Sequence, residues 1–192
     1  MDHQELIKSR IVASIETKNK WLNDAGMLSK LEIISNLLVT TFRNDGKVLF
    51  CGNGGSAADA QHLAAEFSGR FYTDREPLYA EALHVNSSFV TAVANDYSYD
   101  EVYARMVRAA GRKDDVLFAI STSGNSKNIL LAIEAAKTRG MIVIGMTGET
   151  GGKMKAICNY LLNVPSTDTP RIQESHILMG HIICELTEKM MF

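Results

Sequence analysis

The 192 residues hold only three cysteines, Cys51, Cys158 and Cys184, widely spaced and without a CxxC pair. That spacing argues against a disulfide framework and reads as small core hydrophobes in a reducing compartment. There is no run of Lys or Arg, and the formal charge is −2, so nothing in the electrostatics implies nucleic acid as a partner. No apolar run approaches the ~18 residues of a membrane span, so no membrane partner is expected. The opening MDHQELIKSR is polar and mixed in charge, unlike a secretory signal, and a cytoplasmic location is the expectation. Internal repeats and low-complexity segments are also missing. What remains, 46% hydrophobic and 22% charged, is the composition of an ordinary globular chain long enough to bury one good core.

Within that chain, residues 47–70, KVLFCGNGGSAADAQHLAAEFSGR, concentrate the chemistry. Val48-Leu49-Phe50 reads as a short strand closed by Cys51. Gly52-Asn53-Gly54-Gly55 follows as a loop whose glycines allow positive φ and close backbone approach to a ligand. Ser56 is placed to cap a helix rich in strong helix formers. A glycine loop at a helix N-terminus favours anions through free amides and the helix dipole. The spacing is neither G-x-G-x-x-G nor a Walker loop, so a dinucleotide or nucleoside triphosphate is not indicated. On the same helix His62 and Glu66 are four apart and share a face. Such a pair can bind one metal, or set a general base beside a polar orienter; it can equally be a solvated ion pair.

Before this stretch, residues 1–44 read as two helices, from apolar positions at helical spacing, broken at Asn23-Asp24-Ala25-Gly26. The first has few partners within its own segment, so its apolar stripe must be covered by the domain or by another subunit. From Lys47 onward strands and helices alternate, the signature of a parallel α/β sheet. Strands are expected at Leu78–Val85, Asp115–Ser121, Met141–Met146 and Tyr160–Val164. Helices are expected over Ser87–Ala110, interrupted at Asn95-Asp96-Tyr97, over Ser126–Arg139, and over Arg171–Met191 as a long closing helix. Gly151-Gly152 opens a further short one.

After the third strand comes Ser121-Thr122-Ser123-Gly124-Asn125-Ser126. Hydroxyls and free amides there can hold phosphate oxygens without Lys or Arg, if a helix terminus supplies field. Clusters of this composition are also ordinary turn chemistry. Two such loops at the C-terminal ends of strands one and three would flank the switch point where open α/β sheets bind ligands. That favours a phosphorylated ligand. The closing helix carries Gln173, His176 and His181, and histidines in an apolar helix are costly unless partnered. Gln173 and His176 share a face. Gln173 and His181, eight apart, differ by ~12 Å of rise and about 80° of azimuth. Periodicity therefore picks His176 as the neighbour of Gln173, without settling which histidine acts with it.

The stretches CGNGGSAADAQHLAAEFSGR, AVANDYSYDEVYARMVRAAG, DVLFAISTSGNS and STDTPRIQESHILMGHIICEL together resemble the sugar-isomerase (SIS) domain family, over nearly the whole chain. The resemblance implies a three-layer, flavodoxin-like α/β fold, a five-stranded parallel sheet flanked by helices. It implies an N-terminal helical segment, residues 1–44, used for packing or oligomerisation, before one sugar-phosphate-binding unit, residues 45–192. The implied activity is an aldose–ketose isomerisation, from D-sedoheptulose 7-phosphate to D-glycero-D-manno-heptose 7-phosphate through an enediol, toward ADP-heptose for bacterial lipopolysaccharide cores. Family members form homotetramers with active sites at subunit interfaces, and several bind zinc, implying one ion per subunit here.

By motif position, Asn53, Gly54, Gly55, Asn95 and Asp96 fall on substrate contacts. Ser121, Thr122, Ser123 and Ser126 fall on the phosphate cradle. Glu66 falls on the general base and His181 on the acid, while His62, Glu66, Gln173 and His181 fall on the zinc ligands. Glu66 and Gln173 also count among the substrate contacts, and Arg70 is a further polar neighbour. This register prefers His181 where periodicity picks His176. The residue types suit the chemistry: a carboxylate to take a proton from carbon, an imidazole to manage protons on oxygen. A Glu bound to zinc would be a weaker base, so the metal's part in catalysis stays open. Some relatives have an acid just before the Arg-Ile-Gln motif, where this chain has Pro170; Asp168 lies two residues earlier. The alternative within the family is a non-catalytic adaptor that binds the bacterial replication initiator. That adaptor lacks the Glu and His found here at 66 and 181. A regulator of this family should carry a helix-turn-helix, for which the leading 44 residues are a poor match.

Overall fold

A computed structural model describes residues 2–192. Two helices joined by a short link come first, α1 (His3–Leu22) and α2 (Ala25–Arg43). Asp24 makes the break by capping α2, its carboxylate accepting from the N–H of Gly26 and Met27 at 2.9 and 3.1 Å. The alternating part follows: β1 (Val48–Gly52), α3 (Gly55–Ser68), β2 (Ala80–Ala82), α4 (Ser87–Asp96), α5 (Val102–Ala110), β3 (Val116–Ile120), α6 (Lys127–Thr138), β4 (Ile142–Thr147), β5 (Tyr160–Asn163) and α7 (Thr169–Met191). Short 3-10 turns occupy Tyr99–Glu101 and Gly152–Ala156.

All strand pairs are parallel, in the order β2-β1-β3-β4-β5. The three central strands are buried on both faces, which is why VLFCG and VLFAI read as continuous apolar runs rather than alternating ones. Even so, the pleat sorts their side chains. Phe50 and Phe118 stack at 5.0 Å on the face covered by α2, α3 and α7, whereas Leu49 and Leu117 meet α5 and α6 on the other. The expected three-layer α/β architecture is what forms. The chain leaves β1 for β2 on one side, then crosses to β3 on the other, so the ends of β1 and β3 flank the point of reversal.

Two local expectations, for the second strand and for Ser56, need correction. The second strand is Ala80–Ala82, not Leu78–Val85, because beyond Ala82 the backbone turns toward the Asn86 cap of α4. Ser87–Ala110 is helical with the expected interruption: α4 ends at Asp96, and a 3-10 turn leads into α5. Ser56 does not cap α3: Gly54, at φ +57°, is the cap residue and makes no side-chain bond, while Ser56 is buried in the first turn. Ser56 packs so closely over Gly52 that a Cβ at 52 would collide with its carbonyl. The glycine there serves close approach of helix to strand.

α1 stands apart from this order. Of its residues only Thr17 and Trp21 are buried, and Ile7, Ile11 and Ile15 are each more than half exposed. α2, by contrast, buries Met27, Leu31, Ile34, Leu38 and Phe42 against the sheet side and α7.

Candidate active site

α3 and α7 lie side by side with the same direction, and the seam between them organises the site. Near its start, the Gln173 amide occupies the space a Cβ on residue 55 would fill, so a side chain there would displace that amide. Further along, Gly180 accepts the Leu63 side chain in the same way. Beside that contact His62 Nε2 is 2.9 Å from His181 Nε2 and 3.0 Å from Glu66 Oε1. Two imidazoles and a carboxylate thus offer ligand atoms all within 4.8 Å of one another. Helical rise separates Gly55 from His62 by about 10 Å, so Gln173, lying against Gly55, is about two turns of α3 before His62. Burial holds His181 below the ordinary imidazole value, reinforced by His62 and partly offset by Glu66. The His62 side chain remains about half exposed in the single chain, and Glu66 about one-fifth.

His176 has a different setting. It is fully buried, its Nε2–H donating to the Thr147 carbonyl at 3.1 Å, and burial pushes its pKa down to about 4. Its other nitrogen has no partner among the described residues. The histidine that periodicity picks is therefore a neutral core residue tying α7 to the end of β4, with no position on the subunit surface.

The glycine loop is pinned from behind. Asn53 and Asn128 exchange amide bonds in both directions, at 2.8 and 2.9 Å, and the Tyr99 hydroxyl also donates to Asn53 at 3.3 Å. Tyr103, wholly buried, donates to the Gly52 carbonyl. Asn128, Tyr99 and Tyr103 are absent from the sequence reading; no local pattern marks them, since each acts across the crossover. Asn95 and Asp96 close α4, both exposed, with the Asn95 amide donating to Asp96 at 2.9 Å. Arg70 is exposed just past the end of α3.

The hydroxyl loop ends β3 and leads into α6. Ser121 Oγ lies 3.0 Å from Ser126 Oγ and 3.4 Å from Ser123 Oγ, converging three hydroxyls. Gly124, at φ +65°, lets this loop press on the backbone of Gly151-Gly152, and the Thr122 carbonyl accepts from Gly148 N–H at 2.9 Å. Between them opens a cleft of about 310 Å³, lined by Thr122, Ser123 and Asn125, by Gly148–Thr150, and by Ser166, Thr167, Thr169 and Ile172. Its one charged lining residue is Glu149, on the exposed rim. Such a cradle of neutral donors beside the start of α6 is suited to an anion. No local motif marks the linings at 148–150 and at Ser166, Thr167 and Thr169, although the hydroxyl-rich STDT at the start of α7 is a visible trace of the latter.

A glycine loop and a hydroxyl loop on the ends of β1 and β3, with titratable side chains on a neighbouring seam, define a class. The chain belongs to the SIS domain family, which it matches over residues 23–148. Within that family its likeness is to the phosphoheptose isomerases. It is 48% identical to the phosphoheptose isomerase of Aneurinibacillus thermoaerophilus, over 98% of this chain and 95% of that one. Its fold superposes on the phosphoheptose isomerase GmhA from Neisseria gonorrhoeae with a TM-score of 0.90 at 44% identity, covering 97% and 98% of the two chains. The enzyme from Francisella tularensis gives 0.93 at 36% identity, covering 98% and 100%.

Proposed function

We propose that this chain is an aldose–ketose isomerase acting on a heptose 7-phosphate, interconverting D-sedoheptulose 7-phosphate and D-glycero-D-manno-heptose 7-phosphate. The observation that carries the reading is the meeting of Glu66, His62 and His181, in a chain that also carries a phosphate-type cradle and is so similar to phosphoheptose isomerases. The initiator-binding adaptor has no such support and is set aside.

The residues divide the work. Ser121, Thr122, Ser123 and Ser126 hold the phosphate, with the α6 N-terminus adding its field. Asn53, Gly54 and Gly55, with Asn95, Asp96 and Gln173, fix the sugar's hydroxyls, so the reacting carbons meet Glu66. Glu66 takes the proton from carbon, C1 of the ketose, and returns it to C2 of the enediol. His181, held toward its neutral form, moves protons between the two oxygens. Exclusion of water keeps the abstracted proton from exchanging before its return.

Two imidazole nitrogens and a carboxylate oxygen, gathered this tightly, are the donor types zinc takes, so His62, Glu66 and His181 would hold one ion per subunit. Three donors leave a position for water, substrate or a fourth ligand such as Gln173. When bound, zinc would supply Lewis-acid polarisation of a carbonyl.

The half-exposed His62 and the open isoleucine stripe of α1 fit a homotetramer that covers both, with active sites at subunit interfaces. Residues 1–44 would then serve assembly and 45–192 sugar-phosphate binding. No helix among the described residues is long and apolar enough to cross a membrane, which fits a cytoplasmic enzyme supplying heptose for ADP-heptose synthesis. The deciding experiment is turnover of sedoheptulose 7-phosphate by the purified protein, before chelation, after it, and after zinc is restored. No turnover in any state would overturn the isomerase reading; turnover indifferent to chelation would remove zinc.

A further inference from the structure

Downstream of the seam, a buried ion pair serves no surface. Glu188, in the last turns of α7, is 4% exposed, and the Arg75 side chain only 2%. Both oxygens of Glu188 are occupied. Oε2 accepts from Phe71 N–H and Arg75 Nε, each at 3.1 Å, and Oε1 from the N–H of Tyr72 and Thr73 at 2.9 and 2.8 Å. Burial by itself would raise this carboxyl, but the three amides and the guanidinium outweigh it and hold it below the usual carboxylate range. The rest of the Arg75 guanidinium closes the C-terminus of α3. It donates to the Phe67 carbonyl at 2.8 Å and to the carbonyl of Glu66 itself at 2.9 Å. A cation on the carbonyls of the last turn of α3 also suits the helix dipole. The segment bound this way carries Phe71, whose ring stands 5.6 Å from that of His181.

We propose that Arg75 and Glu188 are positioning residues for the isomerisation. Their buried pair fixes residues 71–73 across the ends of α3 and α7, so that Phe71 backs the His181 ring and Glu66 keeps its place opposite it. Neither side chain of the pair touches the cluster; each acts through a neighbour, Arg75 through the backbone of Glu66 and Glu188 through Phe71. A surface salt bridge would contribute little, but one with four donors on a shielded carboxylate defines a single geometry. Catalysis by proton transfer is sensitive to displacements of this kind, since about 1 Å at the reacting groups can cost on the order of a hundredfold in rate.

The inference rests on the isomerase reading, and its test separates the two. Arg75→Lys, Glu188→Gln and the milder Phe71→Leu are compared with the unaltered protein by turnover of sedoheptulose 7-phosphate and by the imidazole NMR signals of His181, assigned with His181→Gln. The expectation for folded Arg75→Lys is a fall in kcat of at least about tenfold with KM within about twofold, and displaced His181 signals. Phe71→Leu should move both readouts in the same direction by less. His181 signals unchanged in folded Arg75→Lys, or in Phe71→Leu should the charge variants not fold, would overturn the positioning role. So would kcat unchanged in those variants of an active enzyme. If the unaltered protein has no turnover, the isomerase reading fails, while the His181 signals still decide whether the pair sets that ring.

Discussion

The two ends of the candidate site are built by opposite means. At the phosphate end the donors are small side chains on turns, and their places are set by backbone: Gly124 at positive φ, carbonyl contacts to Gly148, and helix α6 behind them. At the reaction end the groups are large titratable side chains on two long helices, locked by packing of Leu63 on Gly180 and of Phe71 on His181. A phosphate can be held by many nearly equivalent donors, so the loss of one is partly absorbed. Proton abstraction from carbon depends on one oxygen at one place, and a helix holds that place better than a loop.

Glu66→Gln should therefore have the largest effect. The amide keeps the size and the contact with His62 but cannot take the proton, so kcat should fall by about a thousandfold or more, near the top of what a general base contributes, with KM little changed. Steady-state kinetics with circular dichroism checks this; a folded, active variant would break the contrast at its strongest point.

The same helix supplies the next test, because α7 carries one histidine at the reaction end and another sealed in the core. His176 is ordinarily an imidazole of pKa 6.5 and here lies at about 4, so the unfolded chain binds a proton more readily. Stability from this group is complete above pH 6.5, declines as the pH falls, and is fully lost below about 4. By linkage the loss amounts to about 3 kcal/mol. Denaturant titrations between pH 7 and pH 4 measure it, and His176→Phe should flatten that dependence. His181, partly exposed, should contribute much less.

At the phosphate end, Ser123→Ala with Ser126→Ala removes two of three converging hydroxyls. KM should rise by about ten- to a hundredfold, the worth of one or two charge-assisted hydrogen bonds, while kcat stays within a few fold. An unchanged KM would move the phosphate away from the three converging hydroxyls.

What the sequence displayed of this arrangement follows from range. Loops and caps are written locally, so GNGGS, STSGNS and the break at Asp24 can be read directly, as can strands buried on both faces. The pairing of His62 with His181 spans 119 residues and depends on α3 and α7 running parallel, which no periodicity within α7 encodes. That is why spacing alone points to His176, three residues from Gln173, although its own ring is turned into the core. The edge strand is shorter than its residues suggest for the opposite reason: LYAEALHV has strand-like residues throughout, but only Ala80–Ala82 find a partner in β1. Glycine chemistry misled at Ser56, where a residue suited to capping is instead packed beneath Gly52.

The smallest expected effect probes the seam between the two ends. Asn128 starts α6, the helix behind the phosphate cradle, yet its side chain is spent on Asn53 in the glycine loop. It is 4% exposed, and its loss in Asn128→Ala leaves the Asn53 amide facing only the 3.3 Å contact from Tyr99. An unsatisfied, largely buried amide costs about 1–3 kcal/mol, part of which Asn53 recovers by turning toward solvent. A drop of a few degrees in Tm is expected, together with a KM raised about three- to tenfold and an unaltered kcat, since Glu66 sits about three turns along α3 from the loop. A fall in kcat larger than the rise in KM would mean that the glycine loop, and not the helix pair alone, sets the position of the reacting carbon. The division between a tolerant phosphate end and an exacting reaction end would then have to be redrawn at Asn53.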